Sequence, residues 1–207
     1  MPTPWLESIR KKKQLTVFNK ATSWAVPVSK AIKAFNHLSL GVKMVSVKEE
    51  KAANIVLILA NKAGDEYNYD NINYGAIKVR TRPDFKADSL HGQNSTLADP
   101  DLKSIFFSVI FLPGKLENAT NSQKEVVVVH ELIHACGMDV HDSIGIMFPQ
   151  MMKKDGGLIE YLHEKGTKAM PPIRVGSKTR CIMSLLWSEK ISEEATKQGF
   201  EGACKEN

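Results

Sequence analysis

The run VVVVHELIHACG, from Val126 to Gly137, constrains this chain more than any other stretch. Four valines followed by Leu132 and Ile133 make a helix that is apolar around most of its circumference, so it belongs in a core. Yet the same run carries His130, Glu131 and His134. Residues four apart share a helix face, which aims both imidazoles at one point with Glu131 one step round. Such groups are costly inside a core without a partner, and one bound cation serves all three. The spacing predicts His130 and His134 as metal ligands and Glu131 as a general base. Ser122 and Glu125 have the spacing of a capping box that would start the helix, and Gly137 supplies its stop.

A catalytic zinc site uses three protein ligands and leaves one position open. A sharp turn at Gly137 brings Asp139, His141 and Asp142 within reach; ligand preference and reach favour His141, with both aspartates left open. Glu160, if its surroundings are helical, is the third ligand of an alternative reading, a zinc hydrolase of another clan. A zinc-binding module without activity is a third reading, but Glu131 argues against it, since a structural zinc needs no base.

HELIHACG, the histidine after it and the tetrapeptide IMFP (Ile146 to Pro149) together resemble the metzincin clan of zinc peptidases, in its matrixin-like branch. The resemblance implies a metzincin-like α/β (α+β) fold. That fold has a twisted mixed sheet with an antiparallel edge strand, a backing helix, an active-site helix, and a small C-terminal subdomain with a final helix. It implies one catalytic Zn2+, a peptide or protein substrate, and hydrolysis by an activated water with Glu131 as base. Met147 is then the Met-turn methionine beneath the histidines, and Pro149 and Met151 wall a substrate pocket. The stretch SLHGQNST, between Asp88 and Thr96, lies where the family has its edge strand; a surface loop is an equal reading. One departure matters. The family's third histidine falls at position 140, where this chain has Val140, which cannot ligate zinc. No cysteine-switch motif and no histidine-aspartate loop for a second zinc are found.

With 207 residues, 43% apolar and 25% charged, the chain reads as a soluble globular protein with a real core. The expected division is a basic N-terminal arm (1–13), a single catalytic domain (14–187, its subdomains meeting at 137/138) and a polar tail (188–207). No apolar run is long enough to span a bilayer, so no membrane partner is expected, and a monomer is anticipated. No secretory leader is evident, which points to the cytoplasm or a non-standard export route. The net charge of +5 is concentrated only at Arg10 to Lys13, which reads as a solvated arm; nucleic acid is not expected. Cys136, Cys181 and Cys204 are an odd, sparse set that implies no disulfide framework. Cys136 reads as buried filler, off the face that carries the histidines.

Hydrophobic periodicity places the other elements. Strands are predicted at Gln14–Asn19, Val42–Val47, Ile55–Ala60 (continuously apolar, hence central), Gly75–Thr81 and Ile105–Leu112. A helix opening at Pro27 carries Val28, Ile32, Phe35 and Leu38 and ends by Gly41. Asn61 to Tyr74 reads as a polar loop, and Ser177 as the cap of a final helix whose stripe includes Cys181, Ile182 and Met183.

Overall fold

A computed structural model describes residues 1–116, 119–142, 173–191 and 193–204. In chain order the elements are α1 (Glu7–Arg10), β1 (Gln14–Asn19), α2 (Ala25–His37), β2 (Lys43–Ser46), β3 (Ile55–Ala60), β4 (Glu66–Asn71) and β5 (Gly75–Arg80). Then come β6 (Gln93–Asp99), β7 (Ser104–Pro113), α3 (Asn121–Ala135), α4 (Ser177–Leu186) and α5 (Glu193–Ala203), the last broken at Gly199. This is a mixed α/β architecture.

Five strands form one sheet in the order β2-β1-β3-β7-β6. The pairings β1 with β2, β1 with β3 and β3 with β7 are parallel; β6 runs antiparallel to β7 at the edge. Side chains alternate across a strand, so β3 sends Ile55 and Leu57 to one face and Val56 and Ile58 to the other. Both faces are covered, which explains the unbroken apolar run. On the first face α2 and α3 pack, bringing Val28, Phe35, Val128 and Leu132 into the main core. The antiparallel hairpin β4–β5 contributes the aromatic cover of the second face.

That hairpin corrects the expectation of a loop from Asn61 to Tyr74. Tyr67 and Tyr69 alternate with polar residues, and both rings stack on Phe107 of β7, at 6.1 and 3.7 Å. The turn is closed by Asn71, whose side-chain oxygen accepts from the Asn73 amide (2.8 Å), and by Gly75 at φ +70°.

The N-terminal residues are not a free arm. Trp5 is 1% exposed and forms a bridge with Ile105 of β7. Arg10 is buried, donating to the Trp5 carbonyl (3.1 Å) and to the Ser188 carbonyl (2.7 Å). Only the lysines of the RKKK run face solvent. Nor is the segment after 188 a loose tail. It contains α5, which Cys204 fastens to α4 through a disulfide with Cys181. The expectation of no disulfide fails because Cys136, fully buried and unpaired, makes the total odd. The edge strand runs from Gln93 to Asp99, so it takes in the QNST half of the SLHGQNST stretch and continues three residues beyond it. Ser177 opens α4, but its side chain does not cap; Gly176 holds that position. Among the described residues no helix is long and apolar enough to cross a membrane.

Candidate metal centre

Helix α3 is started by a capping box two residues earlier than Ser122 and Glu125 would place it. Thr120 Oγ1 accepts from the Gln123 amide (3.2 Å) and Gln123 Oε1 accepts from the Thr120 amide (2.8 Å). Every residue from Val126 to Ile133 is buried, so the turn bearing His130 and Glu131 is fixed by packing. At the far end the chain leaves through Gly137 at φ +98°. A side chain there is also excluded by contact: a Cβ would lie 2.0 Å from the Thr3 carbonyl oxygen. The N-terminal segment secures this exit. The Thr3 amide donates to Gly137 O, and Trp5 Nε1 donates to Ala135 O, both at 2.9 Å.

The turn returns His141 to the helix. Ligand nitrogens of His130, His134 and His141 all lie within 4.8 Å of one another, so these three side chains can hold one metal ion. The Nε2 atoms of His130 and His134 are 3.1 Å apart. Two nitrogens bound tetrahedrally to zinc sit about 3.3 Å apart, given bond lengths near 2.0 Å, so the spacing fits. His134 Nδ1 is 2.5 Å from the Met138 carbonyl. With Nδ1–H donating there, the lone pair on Nε2 is turned toward the cluster, the support that metal-bound histidines ordinarily receive. Burial pushes His134 down to about 4, with the Met138 carbonyl opposing, and burial also lowers His141. Both effects favour the neutral imidazole that ligates.

The aspartates left open by the sequence are engaged elsewhere. Asp139 Oδ2 pairs with the amino group of Met1 (2.9 Å). Asp142, 3% exposed, accepts from Thr179 N (2.8 Å) and Thr179 Oγ1 (2.7 Å) in the first turn of α4. Met147, Pro149, Met151 and Glu160 lie outside the described residues.

Glu131 is 5% exposed and borders the same cleft of about 460 Å³ as the three histidines. Its surroundings were invisible in the sequence. Gly92 lies directly over it: a Cβ at that position would come within 2.6 Å of Glu131 Cγ. The Asn94 amide of β6 donates to its carboxylate. Burial pushes the carboxyl up to about 8, against the opposing pull of the Arg82 guanidinium and that amide. A carboxyl so displaced, in the same cleft as three clustered imidazoles, can take up and release a proton near neutral pH.

Arg82 is placed by Gln93, a buried residue at the start of β6. Gln93 Oε1 accepts from the Arg82 amide (2.7 Å) while its Nε2 donates to the Arg80 carbonyl (3.2 Å) and to Ser95 Oγ (3.0 Å). The hairpin exit is thereby stapled to the edge strand. No local pattern announces a contact between a loop residue and a strand residue 11 positions on. No family model matches the chain, and no curated protein matches it.

Proposed function

We propose that this chain is a zinc-dependent endopeptidase of the matrixin-like metzincin kind, with His130, His134 and His141 as the ligands. The observation that carries the reading is three convergent histidines with Glu131 in the same cleft, beside a sheet edge that has no further strand among the described residues. The order of elements supports it: an antiparallel edge strand, the interior strand it pairs with, then the histidine-bearing helix.

His130, His134 and His141 would hold the zinc ion, which would supply Lewis acidity toward a water and a peptide carbonyl. The chain's own contribution follows from its geometry. An extended peptide adds to β6 by backbone pairing, which lays its amide bonds along the cleft. Glu131 takes a proton from the attacking water on a carboxylate oxygen and hands it to the departing amine nitrogen. Gly92 and the Asn94 amide hold that carboxylate in place while keeping bulk water from it.

The test is metal analysis of the full chain together with a peptide-library digest of wild type and Glu131→Gln. Stoichiometric zinc in both, with cleavage only in wild type, is the expected result. Undiminished cleavage by the variant removes Glu131 from the role of base; absence of zinc from both removes the assignment.

A further inference from the structure

Two cations stand on the rim of the cleft beside Glu131, and the proposed peptidase chemistry uses neither. The backbone of Arg82 is not on a loose loop, because Gln93 holds its amide and the neighbouring Thr81 is 4% exposed. Its guanidinium, by contrast, is 68% exposed; it acts on Glu131 through charge, and its ion pair among the described residues is with Asp84, at 3.6 Å, which is itself 82% exposed. So open and long a pair is exchangeable and contributes little. Lys86, on the same rim, has no ion-pair partner among the described residues. Phe85 lies between them in sequence and lines the cleft too.

Besides Asp84, the acidic groups that line this cleft among the described residues are occupied. Asp139 pairs with the amino group of Met1. Glu131 is withdrawn beneath Gly92 and accepts the Asn94 amide. A peptide lying along β6 therefore shares the cleft with a planar guanidinium fork and an exposed ammonium group as well as the histidines. The group that such a fork recognises best is a carboxylate, which it can take through two parallel hydrogen bonds.

We infer that Arg82, with Lys86 beside it, forms a subsite for a substrate carboxylate, so that the cleft selects peptides with an acidic side chain or a free C-terminus near the bond to be cut. The inference rests on the proposed peptidase reading for its substrate, but the subsite can be read without turnover. Fluorescein-labelled peptides differing only in Glu, Gln or Lys beside the central bond, each with a free or amidated C-terminus, provide the probes. Their affinity for full-length Glu131→Gln protein with equimolar zinc is measured by anisotropy, and their cleavage by wild type is followed separately. The Glu peptide should bind about fivefold tighter than the Gln peptide, the factor that one exposed charge pair supplies. That ratio should fall below about twofold when Arg82→Gln and Lys86→Gln are added, and shrink in high salt. A preference for the free over the amidated terminus, without one for Glu, identifies the terminal carboxylate as the group read. Equal binding of all the peptides, or a preference that survives both substitutions, overturns the subsite. Selective binding without cleavage by wild type leaves the subsite standing and defeats the peptidase reading; cleavage without selectivity does the reverse.

Discussion

Replacing Glu131 with Gln should make the metal-free protein more stable above neutral pH, by an amount that follows from the burial of this one group. In the folded chain its carboxyl ionises at about 8, whereas the unfolded chain ionises at the ordinary 4.5. Between those values the folded state holds the extra proton, so stability falls as pH rises, by about 1.4 kcal/mol per pH unit. His134 acts in the opposite sense. Its folded value is about 4 against an ordinary 6.5, so the unfolded chain holds the extra proton between them and stability rises with pH there. The two slopes offset each other up to 6.5, and from 6.5 to 8 Glu131 acts alone. Across that window wild type should lose about 2 kcal/mol, and Glu131→Gln should lose nothing through this position. Urea unfolding in the presence of a chelator, at several pH values between 6.5 and 8, reads both curves. Parallel curves for the two proteins would refute the claim that Glu131 is buried as a carboxylic acid.

Gly92→Ala should retain zinc but lower peptide cleavage at least tenfold, because the added methyl comes within 2.6 Å of Glu131 Cγ and must displace the carboxylate; metal content and turnover of the purified variant check both halves. Reducing the disulfide between Cys181 and Cys204, which are 23 residues apart, should lower stability by about 3 kcal/mol, seen as a lower melting temperature with dithiothreitol than without.

The convergence of His130 and His134 was legible because a helix turns a four-residue spacing into a shared face, and the valines around them announced a buried helix. His141 was reachable by ligand preference, but only the turn at Gly137 and the diversion of Asp142 to Thr179 separate it from its neighbours. Strand β3 followed from its unbroken apolar run. Strand β5 was also legible, but its hairpin partner β4 was not, because the signal of β4 is two tyrosines whose partner, Phe107, lies far along the chain. The same holds for the N-terminal segment, where Trp5 is explained by Ile105 and Ala135 and by nothing near it in sequence. Gly92 and Gln93 escaped for a related reason: each matters through a residue that only tertiary folding brings close.

The two rims of the five-stranded sheet are unequal. On one side β2 offers four residues opening on Lys43, too short and too charged to template a neighbour. On the other, β6 offers seven. A stray unfolded chain seeking backbone partners is thus steered to the longer rim. There, on the proposed reading, adhesion of the kind that seeds fibrils in other proteins would end in the intruder being cut.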